Sequence, residues 1–162
     1  MAKLTPQQIE FAETAPFRAE GTAPVMGSPT EVWAVLADNE SWPSWFAGVK
    51  SCRATSDPGT GVGSTREVVL AGGSRFQERF IAWEEDSLWS FTATDMKPAA
   101  FRSLVERVTI VESGPGRTQI TYRMAFDPKP VLRPLAPLLA KVLGRNLTKA
   151  MEHLGREVVE RR

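Results

Sequence analysis

The chain has 162 residues, 42% hydrophobic and 24% charged, with a formal net charge of +1. That size and balance fit one domain with a substantial core, and so small a net charge gives no global field to recruit nucleic acid or an acidic membrane. One cysteine, Cys52, and one histidine, His153, exclude an intrachain disulfide, a cysteine-cluster metal site and a His/His metal site within one chain.

Cys52 and His153 are conceivable as a nucleophilic pair, but neither sits in a local motif for that chemistry. No run approaches the ~20 apolar residues of a membrane span, and residues 1–16 lack an apolar signal core. The expectation is a cytoplasmic monomer or homodimer, without stable membrane insertion and without a nucleic-acid partner. Nothing in the sequence calls for a metal or organic cofactor.

Residues 1–16 read as an N-terminal arm or short helix, with Thr5-Pro6 placed to cap a turn running through Glu13; residues 17–162 read as a single domain. Phe17 to Met26 is an extended stretch broken by Gly21 and Pro24, so it belongs at a sheet edge or a bulge. Ser28-Pro29-Thr30-Glu31 is a capping box with proline at the first helical position. The helix it opens carries Val32, Trp33, Val35 and Leu36. Trp42-Pro43-Ser44-Trp45-Phe46 predicts a second short helix rich in aromatic surface.

Strands are predicted near Val49–Thr55, Gly63–Leu70, Ser74–Glu85, Trp89–Asp95, Ser103–Glu112 and Arg117–Asp127, separated by glycine, proline and acidic turns. Their short connections favour an antiparallel meander. Gly59-Thr60-Gly61-Val62-Gly63 lacks the strand–glycine–helix order of a phosphate cradle and reads as a loop. Phe76, Glu78 and Phe80 share one face by alternation while Ile81 and Trp83 take the other, which points to a bulge or to burial on both sides.

Pro134 to Arg162 reads as one amphipathic helix about 40 Å long at 1.5 Å per residue, regular from Pro137 or shortly before. Leu135, Leu138, Leu139, Val142, Leu143, Leu147, Ala150, Met151, Leu154 and Val158 recur at steps of three and four, predicting one buried stripe. Gly144 and Gly155 interrupt it at about 1 kcal/mol each. The fold class is therefore α+β: a curved antiparallel seven-stranded sheet wrapped around a long C-terminal helix, with two short helices after the first strand. A curved sheet against a straight helix leaves space between them unless large side chains fill it, and that space is the candidate site.

Ser28 to Asp38, then Trp42-Pro43-Ser44-Trp45, then Val49 leading into strands, then Gly114-Pro115-Gly116-Arg117-Thr118 and Arg145-Asn146-Leu147, resemble the polyketide cyclase/dehydrase group of the START-like, helix-grip (SRPBCC) superfamily. The resemblance runs from about Phe17 to the C-terminus. It implies the helix-grip fold and a deep pocket between terminal helix and sheet. It transfers no catalytic residue, because that superfamily spans lipid carriers, hormone receptors, allergens and cyclases.

Within such a pocket the expected ligand is a hydrophobic small molecule, such as a lipid or polyketide-derived compound. Trp45 and Phe46 are candidates for its mouth. Phe80, Phe91, Tyr122, Met124, Phe126, Leu147 and Met151 are candidates for its apolar lining. Glu78, Arg107 and Tyr122 are candidates for its polar groups; buried charges need partners, so Glu78 and Arg107 are expected to pair with each other or with ligand. One alternative is a cyclase, aromatase or dehydratase using Glu78, Tyr122 and Arg107 for acid–base work. Another is a protein–protein interaction module.

Overall fold

Ser28 caps its helix as the local sequence requires. Its hydroxyl accepts from the Glu31 N–H at 3.3 Å, and the Glu31 carboxylate accepts from the Ser28 N–H at 2.7 Å. This short helix interrupts a sheet that is otherwise continuous. The computed structural model describes residues 1–162: β1 Ala2–Lys3, α1 Phe11–Thr14, β2 Phe17–Met26, α2 Pro29–Leu36, α3 Trp42–Trp45, β3 Val49–Ala54, β4 Thr65–Leu70, β5 Arg75–Glu84, β6 Leu88–Lys97, β7 Phe101–Gly114, β8 Arg117–Pro128 and α4 Ala136–Glu160. Short 3-10 turns at Asn39–Ser41 and Pro130–Leu135 lead into α3 and α4.

The main sheet is antiparallel in the order β2-β8-β7-β6-β5-β4-β3. Consecutive hairpins build β3 to β8, and β2 closes the path by pairing with β8 from Phe17↔Phe126 to Met26↔Arg117. The chain's first long strand is thus an edge strand, which is where Pro24 is tolerated. α2 and α3 fill the connection from one edge of the sheet to the other.

Two irregularities bend the β5–β6 hairpin. The register shifts between Gln77 and Glu78 and again between Phe80 and Ala82. At the second shift Ile81 is the extra residue, so Trp83 returns to the face of Phe80 and their rings meet at 4.8 Å. The conflicting alternation in this stretch is thereby resolved as a bulge, the device that curls a sheet.

The arm is tied down. β6 pairs with β7 only from Leu88↔Thr109 to Thr92↔Val105. Beyond that point the two strands part and β1 enters, pairing Ala2↔Met96 and Lys3↔Asp95. The Leu4 N–H donates to the Thr94 carbonyl and the Thr5 N–H to the Arg102 carbonyl. The one-turn helix α1 starts at Phe11, later than the Thr5-Pro6 start predicted, and carries no side-chain cap.

α4 lies along β2, and glycine sets how closely. A Cβ at Gly21 would sit 2.2 Å from the Thr148 backbone nitrogen and 2.4 Å from the Leu147 carbonyl carbon. Gly144 and Gly155 face the same strand, approaching the Glu20 carbonyl and Val25 at 3.3 Å from their would-be Cβ atoms. The two helical glycines that look like weak points in the sequence are where helix and strand come together.

The predicted stripe of α4 is buried over only part of its length. Ala136, Leu147, Ala150, Met151, Leu154 and Val158 are buried. Leu139 and Leu143 are half-buried, whereas Leu135, Leu138 and Val142 are exposed. At 100° per residue these three lie on the side opposite Leu147 and Leu154, so the early leucines form a second apolar face.

Gly21→Ala should destabilise the protein by about 3 kcal/mol, the upper part of the overpacking range, because the obstruction is backbone. Chemical denaturation of wild type and variant measures this; a change within experimental error would show that α4 is not seated against β2 in this way.

Candidate ligand cavity

Between α4, α3 and the concave face of the sheet lies a cavity of about 200 Å3, lined by 15 residues of which 11 are hydrophobic. Trp42, Phe46, Ala47, Gly48 and Val49 contribute from α3 and the start of β3. Val68, Leu70, Phe76, Glu78, Glu106, Tyr122 and Met124 contribute from the sheet, and Leu143, Asn146 and Leu147 from α4. Ala47, Gly48 and Asn146 are exposed while Trp42, Glu78, Tyr122 and Leu147 are buried. The mouth therefore lies between α4 and the turn after Phe46.

Cross-strand register builds the polar wall. Arg66 and Glu78 are direct partners across β4 and β5, and their side chains close an ion pair at 2.7 Å with the Arg66 side chain fully buried. The Asn39 Oδ1 accepts a second hydrogen bond from Arg66 at 3.1 Å. The guanidinium carbon lies 4.1 Å from the Trp42 ring centroid, 4.6 Å from those of Trp89 and Phe91, and 5.3 Å from that of Phe80. Ring faces attract the cation where it lacks hydrogen-bond partners, as at its Nη2.

The second polar unit joins β7 and β8. The Tyr122 hydroxyl donates a hydrogen bond to the Glu106 carboxyl. Both side chains line the cavity. Burial, reinforced by the nearby Glu78 charge, pushes the Glu106 carboxyl up to about 8 despite the Tyr122 hydrogen bond. Burial also drives Glu78 above the ordinary carboxylate range, opposed by the Arg66 charge. Burial and Glu106 together hold the Tyr122 hydroxyl well above its usual value. The guanidinium pairs with Glu78 alone, and Glu106, half-buried on the cavity wall, keeps its proton at neutral pH.

Not all of the sequence-predicted residues meet here. Phe46, Glu78, Tyr122, Met124 and Leu147 line the cavity. Trp45 is buried behind the lining, 4.7 Å from Trp42. Phe80 and Phe91 pack on Arg66 and fill the space deeper in the sheet. Phe126 stacks on Phe17 at 5.9 Å and packs on Phe101 at 5.1 Å, and Met151 is core.

Arg107 is a correction. It belongs to the outer face, where it pairs with Glu13 of α1 at 2.8 Å, and Glu78 takes Arg66 as its partner instead. The physical reason is alternation: Leu104, Val108 and Ile110 are buried, so Glu106 shares their face and Arg107 does not. Arg66 and Glu106 were missed although the same period placed both inward, Arg66 beside Val68.

Cys52 is not a nucleophile candidate. Its thiol donates to the Asn39 Oδ1 at 3.6 Å, and burial pushes it up to about 11, where thiolate is scarce at neutral pH. No group of three or more His, Cys, Asp or Glu side chains is placed to hold a metal ion. No helix is long and apolar enough to cross a membrane.

This curled sheet gripping a C-terminal helix defines a START-like protein of the helix-grip type. Residues 16–159 match the family described as polyketide cyclase / dehydrase and lipid transport, and the chain belongs to that family. An uncharacterized protein of Mycobacterium tuberculosis is 32% identical over 143 residues, spanning 86% of this chain and 85% of that one. Among solved structures, a START superfamily protein from Mycobacterium smegmatis superposes with a TM-score of 0.75 at 18% identity, covering 90% of this chain and 99% of that one. The Zhui aromatase/cyclase of Streptomyces superposes with a TM-score of 0.74 at 16% identity, covering 89% and 94%. At those identities the two structures speak to the fold.

The raised Glu106 carboxyl makes stability depend on pH. Between 4.5, where a free glutamate ionises, and about 8, the unfolded chain has released this proton and the folded chain has not. The folded state binds more protons across that interval, so this group lowers stability as pH rises through it and has no further effect above. Glu106→Gln, which keeps an acceptor for Tyr122, should flatten that part of the stability–pH curve. Urea midpoints measured for both proteins across the interval test this; parallel curves would mean that Glu106 ionises normally.

Proposed function

We propose that the chain binds a compact hydrophobic molecule of one or two rings carrying a single hydroxyl or carbonyl group. The observation that carries this reading is an apolar cavity whose wall presents the buried Tyr122 and Glu78 and the half-buried Glu106. Size supports a small guest: an engineered cavity of about 150 Å3 holds benzene, so about 200 Å3 does not accommodate a long acyl chain without expansion. Charge supports a neutral guest. The cationic centre of the site is already paired with Glu78 and a second carboxyl stands beside it, so an anionic headgroup has no free counter-ion.

Trp42 lines the cavity, which provides a signal. Titration with 2-naphthol should change tryptophan fluorescence saturably, and a long-chain fatty acid should compete weakly or not at all. Equal binding of the fatty acid, or no saturable response to small neutral aromatics, would overturn this reading.

One observation favours a second, catalytic reading. Glu106 lines the cavity with its pKa held near neutrality, the condition under which a carboxyl both takes and returns a proton efficiently. The ionised fraction of Glu106, which grows as pH rises toward about 8, takes a proton from the carbon next to a carbonyl, and the neutral Tyr122 hydroxyl turns from Glu106 to donate to the enolate oxygen, the proton-transfer step of cyclisation and dehydration chemistry. With 2-tetralone in heavy water, the wild type should accelerate deuterium incorporation next to the carbonyl, and Glu106→Gln should abolish the acceleration while still binding the ketone. Exchange at the buffer rate with wild-type protein would eliminate the catalytic reading and leave the binding one standing.

A further inference from the structure

The overall charge of +1 conceals a strong local segregation. Between Asp127 and Glu152 there are five basic residues, Lys129, Arg133, Lys141, Arg145 and Lys149, and no acidic one. This stretch thus carries +5 while the remainder of the chain carries a net −4. Arg133 is paired with Asp127 at 3.1 Å; the other four have no ion-pair partner. Lys141, Arg145 and Lys149 are exposed.

The same stretch holds four of the nine large hydrophobic side chains exposed to solvent: Val131 at 80%, Leu135 at 60%, Leu138 at 63% and Val142 at 43%. They are not scattered. On the helical wheel Leu135, Leu138 and Val142 fall within about 60° of one another, and Arg145 and Lys149 continue the same line toward the C-terminus. Exposed apolar side chains and neighbouring cations supply the two attractions, apolar burial and anionic-lipid contact, that hold a helix on a membrane surface, and contiguous exposed apolar surface marks an interaction site.

Position adds a further argument. Val142 is one residue from Leu143 and one turn from Asn146, which line the cavity at its mouth. A surface seated on this face lies directly beside the opening.

We propose that the Pro130–Leu135 turn and the first half of α4 dock reversibly on an anionic lipid bilayer, with Leu135, Leu138 and Val142 entering the headgroup region and Lys141, Arg145 and Lys149 facing the anionic headgroups. Charge complementarity selects this occupant: a face with four unpaired cations, whose one nearby acid, Asp127, is already paired with Arg133, repels a second copy of itself. The docking rests on the surface alone and does not depend on what the cavity holds.

The test is co-sedimentation of the full chain with phosphatidylcholine vesicles, with and without phosphatidylserine, at low and high salt. Binding is expected only to the phosphatidylserine vesicles and should fall as salt rises. Each cation near an anionic surface is worth about fivefold in binding, so Lys141→Glu/Arg145→Glu/Lys149→Glu should weaken it by well over tenfold. Leu138→Ser/Val142→Ser should weaken it without changing the salt dependence. All five positions are solvent-facing, so circular dichroism of the variants should match wild type. The proposal is overturned if anionic vesicles fail to sediment the wild type at low salt, or if the charge variant binds as well as wild type. It is equally overturned if sedimentation velocity shows a dimer that Leu138→Ser/Val142→Ser dissociates while vesicles bind neither protein.

Discussion

A buried arginine governs the interior. Taking the Arg66 guanidinium out of water costs far more than an ordinary core residue, and Glu78 offsets that cost only when geometry and further hydrogen bonds are good. The chain meets the condition with a cross-strand carboxylate, the Asn39 amide and four aromatic rings. Those rings occupy much of the concave face, so the space left under α4 is a compact chamber at one end of the sheet. The charge also sets the chemistry there. With Glu78 committed to Arg66, Glu106 is left beside a carboxyl in an apolar setting, and its proton stays on.

Much of the architecture was legible in local patterns. The capping box, the proline in an edge strand, the turn chemistry and the alternation in β8 each fixed an element from its own residues. Two kinds of information lay beyond that reach. The bulge at Ile81 depends on pairing with β6, so β5 alone could not say which face Trp83 takes. The period of α4 does not show that Leu135, Leu138 and Val142 stay exposed, because a hydrophobic period reveals a face and not what covers it. α4 carries two apolar faces that overlap in the sequence pattern, and only the strand it rests on distinguishes them.

The site was legible in part, for a similar reason. Tyr122, Met124 and Leu147 follow from strand and helix periods. Alternation in β5 puts Glu78 on the inner face, but the pairing expected for it, with Arg107 or with a ligand, overlooks that Arg107 does not share the face of Leu104, Val108 and Ile110 in β7. Reading Leu104, Val108 and Ile110 as one row would have exposed Glu106, a carboxyl in a line of aliphatic residues. A charged residue interrupting an otherwise apolar row is the stronger sequence signal.

The seating of α4 has a mechanical side. Toward its C-terminus the helix is clamped: Gly155 meets Val25, Gly21 meets the Leu147–Thr148 backbone, and Arg161 and Arg162 reach Asp38 and Glu31 at 3.1 and 2.9 Å. Toward its N-terminus Ala136 is buried and Leu139, Ala140 and Leu143 pack partly buried against the core. The rod is therefore a beam seated at both ends, with the chamber under its middle, at Leu143, Asn146 and Leu147. The two seats, and not the chamber's own lining, therefore set the height of the gap beside the Phe46–Gly48 turn.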